Sequence, residues 1–195
     1  MIAPSELIIN PDGSCFHLHL KPEQLADKII MVGDPDRVNT VASYFDTKEC
    51  EVSSREFHTI TGTYKGKRIT TLSHGIGTDN IDIVLNELDA LANIDFASRT
   101  IKPEFRQLTM VRVGTSGGLQ PFVPVGTYVA AGKSIGFDGV LYFYAGSEEV
   151  RDKAFESELI RQLEWKLNGI KPYVVSADPS LVEQITQYDI IRGVT

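Results

Sequence analysis

Residues 110–118 of this chain, Met-Val-Arg-Val-Gly-Thr-Ser-Gly-Gly, combine the residue types that hold an oxyanion. Leu108–Val113 reads as a buried strand, yet Arg112 sits inside it, and a loop of glycines and hydroxyls follows at once. Glycine lets the backbone approach a ligand and turn its N–H groups inward. Thr115 and Ser116 add hydroxyl donors, and the guanidinium of Arg112 is a planar fork matched to phosphate. In open α/β sheets, ligands gather at the carboxyl ends of strands. The alternative is an edge-strand arginine paired with a carboxylate beside an ordinary glycine turn; the two readings stand side by side at this point.

Gly33-Asp-Pro-Asp-Arg37 is a second candidate anion site. A strand ends in glycine and a helix starts immediately, so its free N–H groups and positive partial charge face whatever lies beyond the strand. Arg37 falls in the first turn, where the helix dipole disfavours a cation unless an anion sits beside it. A plain capped helix with a surface arginine is the competing reading. Gly75-Ile-Gly77 opens like a dinucleotide fingerprint, but Asn80 stands at the third glycine position, so a tight strand-to-helix turn explains it better. His17 and His19 alternate in the N-terminal segment, as two metal ligands could, but have no Cys or carboxylate partner close in sequence; surface histidines are the simpler reading. Arg55-Glu56-Phe57 sits mid-strand and reads as an exposed ion pair. No Gly-Lys-Ser/Thr follows a glycine loop, and neither Gly-x-Ser-x-Gly nor His-Glu-x-x-His occurs, so Walker-type nucleotide binding and covalent catalysis have little support.

The elements that must position these residues alternate along the chain. Residues 1–24 read as a polar, irregular arm. Lys28–Val32 is a short strand, and Asp34 caps a helix that has Pro35 at its first position and runs to about Phe45. Strands follow near Glu49–Ile60 and Arg68–Ser73, joined by a hairpin turn at Tyr64-Lys-Gly-Lys67. Ile81, Val84, Leu85, Leu88 and Leu91 repeat at helical spacing, which predicts an amphipathic helix over 79–92. A polar connection over 98–107 leads into the 108–113 strand. Beyond the glycine loop come a strand near Thr127–Ala131, a long helix over 148–167, a strand at Tyr173–Ser176, a short helix at Ser180–Tyr188 and the start of a strand at Ile190-Ile191. The alternation predicts an α/β sheet with helices on both faces.

Composition sets the outer bounds. The chain has 195 residues, 42% hydrophobic and 23% charged, enough for one sizeable domain with a core. Its 19 basic and 26 acidic residues give a net charge of −7, which argues against a nucleic-acid or anionic-membrane surface without excluding a small site built from a few arginines. Cys15 and Cys50 have no metal-ligand spacing and suit a reducing cytoplasm. Met1–Leu20 lacks the pattern of a signal peptide, and no run approaches the ~20 apolar residues of a membrane helix.

Taken in order, Phe16-His17-Leu18, Gly33-Asp-Pro-Asp-Arg-Val38, Ser54-Arg55-Glu56-Phe57, Gly62-Thr-Tyr-Lys-Gly66, Ser73-His-Gly-Ile-Gly77 and Arg112-Val-Gly-Thr-Ser-Gly-Gly118 resemble the nucleoside phosphorylase family, most closely its uridine phosphorylase branch. Each motif is modest, and their shared order over nearly the whole chain is specific. The resemblance implies a single domain over 1–195 with a central mixed, partly barrel-like β-sheet flanked by helices. It implies homodimers assembled into homohexamers, and reversible cleavage of a nucleoside N-glycosidic bond by phosphate. No cofactor is required; phosphate is the co-substrate. Gly33, Arg37, Arg112 and Thr115 match phosphate-binding positions, with Arg112 and Thr115 also catalytic. Arg55 matches a phosphate-site arginine given to the neighbouring subunit, and His17 a histidine placed near the ribose 5′-hydroxyl. Glu56, Ile76 and Asn80 fall where uridine phosphorylases hold a monovalent cation, potassium, between subunits. Here Asn80 departs from the usual small hydroxyl residue, and Thr78-Asp79 from the usual Gly-Pro or Ile-Pro.

The family continues beyond the position of Thr195 with a base-recognition loop and a Glu-Met-Glu segment, so the resemblance also implies a chain lacking its C-terminal part, inactive as it stands. The expected reaction is uridine plus phosphate to uracil plus ribose 1-phosphate. Purine nucleoside phosphorylase is the alternative within the family. A nucleosidase, using water, has little use for three converging arginines. A non-catalytic nucleoside- or phosphate-binding remnant is the alternative outside catalysis.

Overall fold

The computed structural model describes all 195 residues, which fall into two compact units, Met1–Thr115 and Ser116–Thr195. In the first, β1 (Lys28–Val32) alternates its side chains between two apolar layers, as strand geometry requires. Ile29 and Met31 face one layer, while Ile30 and Val32 face the other. A strand apolar on both sides belongs in the middle of a covered sheet. The sheet order is β2-β3-β4-β1-β7, with β2 (Thr47–Ser54), β3 (Phe57–Tyr64) and β4 (Lys67–Ser73) forming an antiparallel meander. Strands β4 and β7 (Thr109–Val113) both run parallel to β1. The sheet is therefore mixed. Two further short strands, β5 (Ile94–Asp95) and β6 (Thr100–Ile101), pair only with each other; β6 lies within the stretch read as a polar connection.

Helix α1 (Pro35–Ala42) covers one face through Val38 and Ala42, packed with Val32 and Ile60. It stops at Ala42, a few residues short of the expected end. Helix α2 (Thr78–Asn93) covers the other face through Val84, Leu88 and Leu91. Cys15, Leu18, Leu20 and Leu25 complete that layer, all with 1% exposure or less. The N-terminal segment is irregular, as its sequence predicts, but it is not a polar arm: it delivers apolar side chains to the core. Their uneven spacing has no helical or strand period to betray it.

Two other expectations need correction. Residues 49–60 are not one strand, because Arg55 and Glu56 form the turn between β2 and β3, and Arg55 has a left-handed φ of 56°. β7 is an edge strand of its sheet, with Met110 38% and Val113 48% exposed, rather than buried. Gly62 shows how tight the meander is. A Cβ there would lie 2.1 Å from the Thr47 carbonyl oxygen and 2.8 Å from the Phe45 ring.

The second unit holds a three-stranded sheet, β10-β8-β9, of Ile191–Val194, Val129–Gly136 and Tyr173–Ser176. The helix expected over 148–167 is instead α3 (Ser147–Val150) and α4 (Lys153–Gln162). Arg151 is extended there and bridges Val175, and the Asp152 side chain caps α4 by accepting from the Phe155 amide. Arg151 grips buried Glu156 through two guanidinium nitrogens, at 2.9 and 2.6 Å, and Glu156 also accepts from the Val174 amide. The pair thereby ties α4 to β9. Helix α5 (Pro179–Ile185), capped by Asp178, packs on β8. No helix in the chain is long and apolar enough to cross a membrane.

Gly62→Ala should destabilise the first unit by about 2 kcal/mol or more, because backbone rather than a flexible side chain opposes the added methyl. Urea unfolding of the variant beside the parent chain reads this directly, and equal midpoints would contradict it.

Candidate functional site

The backbone pairing brings three strand ends to one place. Val32 of β1 is in register with Ser73 of β4 on one side and with Val113 of β7 on the other. The segments that leave these ends are Gly33-Asp34, His74-Gly75 and Gly114-Thr115. They line one cleft of about 870 Å³, with Arg37, Glu56, Ile76, Asn80 and Arg112 on its walls. Gly33, Arg37, Arg112 and Thr115, far apart in sequence, are therefore brought together at the carboxyl ends of neighbouring parallel strands.

The helix that enters the cleft is already capped. Pro35 has no N–H, Asp34 Oδ1 accepts from the Asp36 amide at 2.9 Å, and the Arg37 amide donates to the Asp34 carbonyl at 3.1 Å. The sequence suggested free amides here; Asp34 has consumed them. What α1 offers is its dipole and the Arg37 side chain.

The arginines differ in their partners. Arg68, Arg106, Arg151 and Arg161 are each ion-paired with a carboxylate, to Glu49, Asp27, Glu156 and Glu158. Neither Arg37 nor Arg112 has such a partner. The Arg112 Nε instead donates to Nε2 of His74 at 2.9 Å. Arg112 is thus on an edge strand, as the simpler sequence reading has it, but a neutral ring stands where that reading puts a carboxylate. Burial, and then the charge of Arg112, hold the His74 pKa below its usual range. His74 was read only as part of a turn. Its ring is buried, and since Nε2 accepts, Nδ1 carries the proton. The loop backbone lies close beside the guanidinium: a Cβ at Gly114 would come within 2.7 Å of Arg112 Nη1.

Glu56, Ile76 and Asn80 also converge. A Cβ at Gly75, whose φ is +65°, would lie 2.7 Å from Asn80 Nδ2 and 3.0 Å from Glu56 Cγ. One carboxylate with amide and carbonyl oxygens suits a hard, loosely held cation. No group of three or more His, Cys, Asp or Glu exists to hold a transition metal.

His17 and Arg55 do not line this cleft. They lie together elsewhere, with Phe16 between them: the Arg55 guanidinium carbon is 5.7 Å from the Phe16 ring centroid, and Phe16 meets His17 edge to face at 4.8 Å. Glu87 on α2 anchors the group. It accepts from the backbone amides of His17 and Leu18 and from His17 Nδ1, the last at 2.7 Å, which leaves Nε2 outermost. Sequence reasoning missed Glu87, although a signal existed: it interrupts the apolar stripe of Val84, Leu88 and Leu91. Burial and the nearby Glu87 carboxylate push the Cys15 thiol up, so it stays protonated, and both cysteines are free.

A family model described as the phosphorylase superfamily matches residues 27–195. A curated relative named uridine phosphorylase, from Haemophilus influenzae, is 31% identical over 183 residues, covering 91% of this chain and 67% of its own length. A DeoD-type purine nucleoside phosphorylase from Roseobacter denitrificans is 34% identical over 116 residues, covering 59% and 44%. Among solved structures, a Trypanosoma brucei nucleoside phosphorylase described as showing uridine phosphorylase activity superposes with a TM-score of 0.81 at 31% identity, over 96% of this chain and 67% of that one. The chain thus spans 44–67% of the length of these relatives.

The left-handed φ of Arg55 is a cost of roughly 1 kcal/mol for a long side chain and much less for asparagine. Arg55→Asn should therefore unfold at the same or a higher temperature than the parent by calorimetry. A clear loss of stability would show that the contact with Phe16 outweighs the strain.

Proposed function

This chain belongs to the phosphorylase superfamily, and on that premise we propose that it serves reversible phosphorolysis of a nucleoside, with uridine as the substrate: uridine plus phosphate gives uracil plus ribose 1-phosphate, a pentosyl transfer. The observation that carries the reading is that two arginines without carboxylate partners, Arg37 and Arg112, lie in one cleft with Gly33 and Thr115. Two guanidinium groups held free of ion pairs in a chain of net charge −7 suit an oxyanion.

The chemistry follows from that geometry. As the C1′–N bond breaks, its electron pair leaves with the base and positive charge builds on the sugar. Phosphate held by Arg37, Arg112 and the Thr115 hydroxyl stabilises that charge, and one of its oxygens forms the new bond to C1′. Phosphate is itself the nucleophile, so no general base is needed; position and electrostatics supply the acceleration. Glu56, Ile76 and Asn80 would hold a monovalent cation beside the same cleft, which would supply a positive charge there.

The group of exposed Arg55 and half-buried Phe16 and His17 serves a neighbouring copy in this reading, with Arg55 reaching that copy's phosphate and His17 Nε2 its ribose 5′-hydroxyl. Its support is that both residues are held on the chain's own surface outside the cleft lined by Arg37 and Arg112. The functional unit is then at least a homodimer. Purine nucleosides are the second reading, favoured by the DeoD-type relatives.

Phosphate-dependent cleavage of uridine, thymidine, inosine and adenosine, assayed with and without phosphate on protein of the length its relatives have, decides the substrate. Cleavage that ignores phosphate would sink the proposal. Arg112→Ala should lower kcat/KM for phosphate by a factor of about 10²–10³, on the scale of losing an oxyanion donor. Mixing Arg112→Ala and Arg55→Ala chains should restore part of the activity, since some sites then hold both arginines. No recovery after verified subunit exchange would place Arg55 outside a shared site.

A further inference from the structure

We propose that His74 is the positioning residue of the anion site: its Nε2 fixes the Arg112 guanidinium so that the two terminal nitrogens of Arg112 are left for the ligand. The inference rests on the reading of Arg112 as an anion ligand. It does not make His74 a catalytic residue, because the ring acts through Arg112.

Three observations carry it. First, an arginine at the end of an edge strand has four rotatable bonds and no carboxylate to hold it. The 2.9 Å bond from Nε to His74 is the polar contact that sets its direction. A carboxylate in that position would neutralise the guanidinium and compete with the incoming anion; a neutral imidazole orients it and leaves its charge intact. Second, the loop backbone lies close on the remaining side: a Cβ at Gly114 would come within 2.7 Å of Nη1 and 3.2 Å of Cζ, so the guanidinium sits between His74 and the loop. Third, the ring is itself held in place. It is buried, and the His74 amide donates to the Val32 carbonyl at 2.9 Å, which ties the end of β4 to β1.

The bond to Nε requires a ring lone pair, which Nε2 of the Nδ1-protonated ring supplies.

The test is calorimetric titration of the full 195-residue chain with sulfate, a tetrahedral dianion whose charge does not change across the histidine range, alongside thermal unfolding. His74→Phe, which keeps a planar ring without an acceptor, should weaken sulfate binding about tenfold, equivalent to ~1.4 kcal/mol. Its unfolding temperature, measured alongside, separates a folding defect from a binding defect. His74→Gln places its side-chain oxygen near the Nε2 position and should recover most of the lost affinity. His74→Asn reaches only the Nδ1 position and should behave like His74→Phe, a second comparison that does not rely on a larger ring fitting.

Arg112→Gln separates the two levels of the argument. If it leaves sulfate affinity unchanged, the anion site itself is wrong. If it weakens binding while His74→Phe and His74→Asn do not, the positioning role alone is overturned. Loss of stability in both His74→Phe and His74→Asn with sulfate affinity retained would reduce His74 to a packing residue.

Discussion

Everything at the cleft depends on β1 pairing in parallel on both of its edges. Backbone hydrogen bonds fix the register of β4 and β7 against it, so Val32, Ser73 and Val113 end level with one another. Because all three strands point the same way, the chain leaves the sheet three times at one spot. A one-residue slip on either side would turn Arg112 or Ser73 to the opposite face of the sheet. The apolar layers on both faces prevent that slip: β1 places alternate residues into each, and neither layer tolerates the reversed pattern. The precision of the polar site is therefore borrowed from hydrocarbon packing beneath it.

The same frame explains how a negatively charged chain can hold positive charge unpaired. Carboxylates are plentiful, and four arginines outside the cleft have found them. Arg37 and Arg112 are kept from doing so by what surrounds them. Asp34 is turned to the first amides of α1, and a buried ring occupies the space nearest Arg112. Holding acids away is as much a part of the site as supplying bases. The N-terminal group shows the opposite arrangement: Glu87 is surrounded by amides and an imidazole N–H, and its charge fixes a backbone segment rather than awaiting a ligand.

Much of this was legible in the sequence. A sheet with helices on both faces follows from the alternation of short apolar strands and amphipathic helices, its mixed character from the family resemblance, and Asp34-Pro35 marks the start of α1 within a residue. The glycine loops mark the strand ends. Which strands are neighbours is not written locally, so the meeting of Gly33, His74 and Gly114 had no signature of its own. The β2–β3 turn was hidden because it contains neither glycine, proline nor asparagine; a long cation takes the left-handed position instead. The break at Arg151 was hidden for a related reason. Its residues favour helix, and a bridge to Val175, distant in sequence, overrides them. His74 and Glu87 were missed because one resembled a turn residue and the other a helix-surface acid, and burial alone distinguishes them.

The capping of α1 by Asp34 has a kinetic side. A loop of fixed amides grips an oxyanion in a rigid, dehydrated cradle and gives it up slowly. Here those amides are spoken for, and in the proposed reading an anion meets guanidinium groups on side chains that line the cleft. Their pull weakens with ionic strength over a Debye length of about 8 Å in physiological salt. A site of this kind exchanges its ion quickly and imposes no direction of its own. Traffic through it is set by the concentrations on either side.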